Sequence, residues 1–159
     1  MAERIAQRGE SLLEQVQALA PRHLLLLAAG AGQATRLAGL SGCAERVSLR
    51  DAVAGLADLA GLDPADLAVL AAPAGGLLQP GLTQVLARLR DQLAGRVLVT
   101  SDEASPSGAV RRHLLSLGYQ PLDGLPGCFG FDLASYNPPR DWNTPEHWAH
   151  PENFDRYRW

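Results

Sequence analysis

The chain of 159 residues has no lysine, so all of its fixed positive charge is arginine. Isoleucine occurs once, at Ile5. Leucine and alanine therefore stand where β-branched residues would normally mark strands, and strand assignment must rest on pattern instead. Cysteine occurs only at Cys43 and Cys128, far apart and outside any Cys-x-x-Cys pattern, with no histidine nearby at metal-ligand spacing. That spacing offers neither a disulfide framework nor a zinc ribbon, and a reduced, cytosolic pair is expected. The N-terminus mixes Glu3, Arg4, Arg8 and Glu10 and has no apolar run of signal-peptide length. The longest apolar run, Leu24–Ala29, is far too short to span a bilayer. A soluble, cytoplasmic protein with no membrane partner is the expectation. A net charge of −3 argues against a broad nucleic-acid surface.

What is present is enough for one domain. Nearly half of the residues are hydrophobic, at 47%, which suits a single core of ordinary size. Residues 1–21 form an N-terminal helical segment in which Ile5, Leu12, Leu13, Val16 and Leu19 recur at helical spacing over 2–19, until Pro21 stops it. The stretch 22–135 alternates buried-strand and helix patterns. A strand over 23–29 runs into the turn Gly30-Ala31-Gly32 and a helix from about Gln33 to Leu40. Arg46–Leu49 reads as a second strand and Asp51–Leu59 as a helix ended by Gly61. The uninterrupted run Asp66–Ala71 suits a central parallel strand.

The pattern continues with a helix over 80–94, opened by Pro80 and striped by Leu82, Val85, Leu86, Leu89 and Leu93. A strand over 96–100, a polar loop over 101–107 and a helix over 110–117 ended by Gly118 follow. Short strands over 119–122 and 128–135, separated by a short loop, predict an antiparallel hairpin. From Tyr136 the composition changes. Residues 136–159 are rich in Pro and Asn and carry all three tryptophans, Trp142, Trp148 and Trp159, with Phe154 and Tyr157. Such side chains are costly to leave in water, so the segment either folds back on the sheet or meets a protein partner or a second copy through Trp142, Trp148, Tyr157 and Trp159.

The ending carries a resemblance. Leu114-Leu115-Ser116-Leu117-Gly118-Tyr119, followed by a short strand, a loop and a last strand, resembles the close of the class I S-adenosylmethionine-dependent methyltransferases. In that family the last helix often ends in a Leu-x-x-x-Gly-aromatic phrase and the last strand inserts antiparallel. Asp66–Ala71 resembles the family's fourth strand, which opens on an acidic residue, and the likeness covers about residues 22–135. It implies an α/β, Rossmann-like, methyltransferase-type sheet, mostly parallel with an antiparallel C-terminal hairpin. Between Asp51 and Asp66 there is room for one helix and no strand, so the sheet is expected to be reduced at one edge.

The resemblance also implies a cofactor, S-adenosylmethionine, and places its site. Gly30 and Gly32 match the first two glycines of the family's turn, while the third falls at Ala34 and the acidic place in strand one falls near Ala28. Asp51, about 20 residues past Gly30, falls where an acid would take the ribose hydroxyls. Gly30, Gly32, Asp51 and Asp66 are thus the candidate cofactor-binding residues. Each has a plainer reading. The two glycines could serve strand–helix packing alone, and Ser48-Leu49-Arg50-Asp51 matches a capping box with Ser48 as N-cap.

Other motifs point less far. Asn137-Pro138-Pro139 is similar to a loop of the amino-methyltransferases that act on DNA, but it follows the last strand and Arg140 replaces the aromatic. The matching place after the fourth strand, Ala72-Pro73-Ala74-Gly75, has no polar group to orient an amine. His147 and His150 stand at His-x-x-His spacing without a firm third ligand, so no metal is expected. No nucleophile–base pair stands out, and Asp102 and Glu103 are the best-placed polar groups after Asp51. The sum is a methyltransferase-like domain with a degenerate cofactor site, acting as a binding or interaction module. The alternative is an active methyltransferase on a small molecule or protein; a third reading is a doubly wound domain for another nucleotide.

Overall fold

The structure is a computed structural model that describes residues 12–53, 55–103, 105–136, 146 and 150–153. Its elements are α1 (12–19), β1 (His23–Ala28), α2 (Ala31–Ala38), β2 (Arg46–Asp51), β3 (Ala65–Ala72), α3 (Pro80–Arg88), β4 (Ala94–Ser101), α4 (Gly108–Ser116), β5 (Gln120–Pro121), β6 (Cys128–Asp132) and α5 (Leu133–Tyr136). The six strands form one sheet in the order β2-β1-β3-β4-β6-β5. β2, β1, β3 and β4 run parallel, and β6 enters antiparallel between β4 and β5. This is an open, mostly parallel α/β sheet of Rossmann-like type with an antiparallel C-terminal pair, and β2 stands alone at the reduced edge.

The central strands explain why leucine and alanine suffice. All six residues of β1 are buried, and so is every residue of β3 except Asp66. A strand covered on both faces needs no polar alternation. On one face Leu24, Leu26, Leu67, Val69 and Leu98 pack with Leu12 and Val16 of α1 and Leu37 of α2. On the other, Leu25, Leu27, Leu70, Val97, Val99, Phe129 and Phe131 pack with Leu82, Val85 and Leu86 of α3 and Val110 and Leu114 of α4. Tyr119 is fully buried there, and its hydroxyl donates to the Leu86 carbonyl at 2.7 Å. Burial pushes that hydroxyl's pKa well up, so it stays a proton donor.

Several local expectations change. The helix read over 51–59 is not formed. Asp51 is the last residue of β2, and a short 3-10 turn covers Gly55–Leu59. The periodicity there misled because Val53 and Leu56 are exposed, at 72% and 40%, and make no core stripe. The capping box is absent for the same reason: Ser48 lies inside a strand and bonds His23. The α3 stripe is buried as its spacing implies, but its last turn, Leu89–Leu93, is a π turn. Leu89 and Leu93 both still reach the core through it. β6 ends at Asp132, and 133–136 turn helical instead of continuing the strand. Trp142, Trp148, Phe154, Tyr157 and Trp159 lie outside the described residues, as do His147 and Asn137-Pro138-Pro139.

Candidate functional site

In an open parallel sheet the carboxyl ends of the strands are where backbone N–H groups and loop side chains converge. Here β1 ends at Ala28 and the chain turns through Gly30 into α2. Gly30 holds φ +111° and ψ 160°, a conformation that L side chains rarely adopt, and its carbonyl accepts the first helical bond from Ala34 N–H at 3.1 Å. β2 ends beside it, with Asp51 in register with Ala28. The Asp51 carboxylate accepts from Val53 N–H at 2.8 Å, which fixes the turn that leaves the strand.

Between these two strand ends lies a cleft of about 390 Å³, lined by Ala28, Gly30, Ala34, Leu49, Arg50 and Asp51. That volume falls at the lower end of small-molecule sites. Two of the four candidate residues, Gly30 and Asp51, therefore line one cavity. Gly32 sits in the first turn of α2, next to that turn. A Cβ built on Gly30 or on Gly32 would meet no atom within 4 Å. Strand–helix packing therefore does not require either glycine. Gly30 is required by its backbone angle, and the space in front of Gly32 is open.

Asp66 is a correction. It lies at the amino end of β3, beside His23, roughly 16 Å along the strands from Ala28 at the usual rise. Its Oδ2 accepts from the backbone N–H groups of Arg22 at 2.9 Å and His23 at 3.1 Å. Those two bonds, with a smaller contribution from the neighbouring positive charge, hold its pKa below the usual carboxylate range. The acid that opens a parallel strand lies at the amino edge, and the Gly30 turn lies at the other end of the sheet.

Three further groups define the carboxyl edge. Arg36 reaches from α2 across the sheet, with Nη2 donating to Thr100 Oγ1 at 3.0 Å and Nη1 to Gln33 Oε1 at 2.8 Å. The buried Cys128 thiol donates to the same Thr100 oxygen at 3.5 Å. Asp102 accepts from Ala74 N–H at 2.9 Å and so clamps the loop after β3 to the loop after β4. Arg36 gave no sequence signal, because its partner lies 64 residues away. Leu49 did give one: the period-two series Val47, Leu49, Asp51 puts Leu49 and Asp51 on one face of β2.

Two larger cavities lie elsewhere. One of about 770 Å³ at the amino edge is lined by Leu19, Pro21, Asp66, Arg96, Asp132 and Leu133, among others. Another of about 550 Å³ lies between Leu19, Leu98, Leu122 and Gly130. Size does not make either the better site. Three of the charged groups there are already engaged: Arg96 pairs with Asp132 at 3.2 Å, and Asp66 is held by the backbone N–H groups of Arg22 and His23. His23 also belongs to that edge. Its Nδ1 faces the Pro64 carbonyl at 3.2 Å, which can only accept, so Nδ1 carries a proton, and Nε2 hydrogen-bonds with Ser48 Oγ at 3.0 Å.

Among the described residues, no three His, Cys, Asp or Glu side chains cluster to hold a metal ion. His150 pairs at the surface with Glu152 at 3.1 Å. Among the same residues, no helix is long and apolar enough to cross a membrane. Both cysteines are free thiols, and partial burial pushes the Cys43 pKa up, away from thiolate chemistry. No curated protein matches the chain. One family profile does match, over residues 6–159, nearly the whole length and including the aromatic C-terminal segment. The chain thus belongs to the family of unknown function DUF6231.

Proposed function

We propose that the chain is a methyltransferase-like binding module whose cleft keeps the nucleoside half of an S-adenosylmethionine site and has lost the half that drives methyl transfer. The observation that carries this reading is the meeting of Gly30 and Asp51 in one cleft at the carboxyl edge. The Gly30 turn leads into a helix N-terminus, and Asp51 closes the neighbouring strand. A carboxylate there suits a pair of ribose hydroxyls, and apolar Leu49 suits the flat face of a base. The strand order supports the same reading: β6 entering antiparallel beside β4 is the arrangement the resemblance implies.

The other half of the site fits less well. Ala28 occupies the place where the family often carries an acid for the cofactor's amine, and it contributes only apolar surface to the cleft. The loop after β3, Ala72-Pro73-Ala74, brings no polar side chain toward an acceptor, and Asp102 is engaged in holding that loop. S-adenosylmethionine would supply an electrophilic methyl group when bound. This chain's Gly30, Gly32 and Asp51 would position the ribose and backbone-facing parts of it. The free thiols suit a reducing, cytoplasmic setting. The aromatic segment, carrying Trp142, Trp148, Tyr157 and Trp159, is the proposed contact to a protein partner.

Calorimetry with S-adenosylmethionine, S-adenosylhomocysteine and adenosine tests the cleft. Binding by all three that is lost in Asp51→Ala and kept in Asp66→Asn is the expected result. No heat at millimolar ligand would sink the cofactor reading, and rapid methyl transfer to a small amine would favour the active enzyme instead. Truncation after Tyr136 tests the tail: a folded product that loses partners in pull-down is expected, and an unfolded one makes the tail core.

A further inference from the structure

Resting on the cofactor reading of the cleft, we propose that its ligand is a nucleoside with an uncharged thioether arm, a 5′-alkylthio-5′-deoxynucleoside, in preference to one that carries an amino-acid arm. The six residues that line the cleft divide by chemistry. Leu49 and Asp51 lie two apart on one face of β2, opposite Leu26 and Ala28. In that reading Leu49 takes the base and Asp51 the ribose hydroxyls. Asp51 is then engaged, and among the described residues it is the only acid in the lining. Ala28, Gly30 and Ala34 are left for the 5′ arm. Ala28 is buried, and Ala34 is partly buried against the same core cluster. Their methyl groups offer an arm apolar contact and no hydrogen bond.

An amino-acid arm brings a carboxylate and an ammonium, and S-adenosylmethionine adds a sulfonium. The carboxylate finds donors where α2 opens on Gly30, since no side chain caps that end. The ammonium finds no acceptor of its own. Asp51 is a single carboxylate already bonded to Val53 N–H, and it cannot serve the ribose and an ammonium at the far end of the arm together. The other charged residue of the lining, Arg50, is a cation and turns Nη1 to the Leu49 carbonyl at 2.9 Å. A cation drawn from water to the side of Ala28, with no acid opposite, loses hydration without a compensating bond. A thioether arm reverses this balance. Its sulfur is soft and polarizable, and it makes dispersion contact with alanine methyls and the Gly30 backbone without needing a polar partner. The small volume of the cleft, about 390 Å³, also suits the shorter arm.

Calorimetry of the full chain with 5′-methylthioadenosine, 5′-butylthioadenosine, S-adenosylhomocysteine and S-adenosylmethionine tests the proposal. The butyl arm matches the homocysteine arm in length and lacks its charges, so it separates charge from size. Both alkylthio nucleosides are expected to bind about tenfold or more tightly than S-adenosylhomocysteine, and S-adenosylmethionine to bind more weakly still. Supplying an acid should close the gap. Ala34→Asp, near the α2 N-terminus where a carboxylate also suits the helix, is expected to bring S-adenosylhomocysteine to within about threefold of the butylthio nucleoside. Ala28→Asp should act in the same direction, and because its site is buried, the Ala34 variant and the ligand series carry the test if it does not fold. S-adenosylhomocysteine binding as tightly as the butylthio nucleoside would overturn the uncharged arm and leave the cofactor reading standing. A butylthio nucleoside as weak as S-adenosylhomocysteine beside a tight methylthio one would do the same, by making size the selector. No heat from any of the four nucleosides at millimolar concentration would remove both readings together.

Discussion

The two edges of the sheet use the same residue type in opposite ways. At the amino edge the exposed Asp66 carboxylate receives two backbone N–H groups from the start of the neighbouring strand, so it is part of what aligns β1 with β3. His23 adds to this with bonds to Pro64 and Ser48, tying three strands together. At the carboxyl edge Asp51 bonds Val53 N–H only two residues on, and its strand end opens on a cleft. The amino edge is stitched across strands here; the β2 end of the carboxyl edge is shaped by a local turn. A polar group spent on its own turn leaves strand-end geometry to the ligand, whereas a cross-strand carboxylate is structural wherever a motif might place it.

The largest expected effect tests whether the carboxyl edge is loose throughout. It is not at the β5–β6 corner. A Cβ at Gly127 would collide with the Glu103 carbonyl oxygen, and Gly127 also holds φ +77°. Ser101 locks the same corner by donating its hydroxyl to the Glu103 and Gly127 carbonyls. Gly127→Ala must displace backbone and strain its own, at a combined cost of about 2–5 kcal/mol. Urea unfolding measures it. A loss below about 1 kcal/mol would show that the loop between β4 and α4 yields freely, and that this corner is as adaptable as the cleft.

How much of this contrast was legible in the sequence follows from the range of the interactions. The Gly30 turn was legible because a glycine closing a buried apolar run is a local signal; Asp51 was set beside it by the resemblance, while its own stretch read as a helix start. The direction of Asp66 was legible too, in principle: a residue before a parallel strand lies at the amino edge. Family resemblance outweighed that simple geometry. The helix read after Asp51 failed because helical spacing of Val53, Leu56 and Leu59 carries no information on which of them are buried, and only Leu59 is. Arg36 with Thr100, and His23 with Ser48, join residues 64 and 25 apart, which no local pattern can pair.

Exchange of the two aspartates' roles provides the next break. Asp66→Ala removes two charge-assisted bonds from a solvent-facing carboxylate, so after screening it should cost on the order of 1 kcal/mol. Asp51→Ala gives up the turn bond to Val53 N–H at an exposed site and should cost less, about a few tenths. The pH dependence separates them further. Because Asp66 has a native pKa below its unfolded value, its stabilisation is complete above the ordinary carboxylate range, near pH 4, and is lost as pH falls through the lowered native value. Melting temperatures followed from pH 6 to pH 2 should therefore fall less steeply in Asp66→Asn than in the natural chain. Parallel acid limbs would show that Asp66 does not hold the amino edge.

The smallest effect is the most discriminating for the cleft. Gly32 is helical, has no positive φ, and a Cβ there meets nothing within 4 Å. By helix propensity and unfolded-state entropy, Gly32→Ala should stabilise the chain by about 0.4–1 kcal/mol. A glycine that lowers stability and relieves no clash needs another reason, and the close approach of the proposed cofactor to the α2 N-terminus would supply it. The expected outcome is a raised melting temperature together with weaker binding of S-adenosylhomocysteine. If the variant is stabilised and binds equally well, the open space before Gly32 is not where the ligand lies, and the cleft must be read from Leu49 and Asp51 alone. If it is destabilised, the first turn of α2 is tighter than its geometry shows, and packing returns as the reason for the glycine.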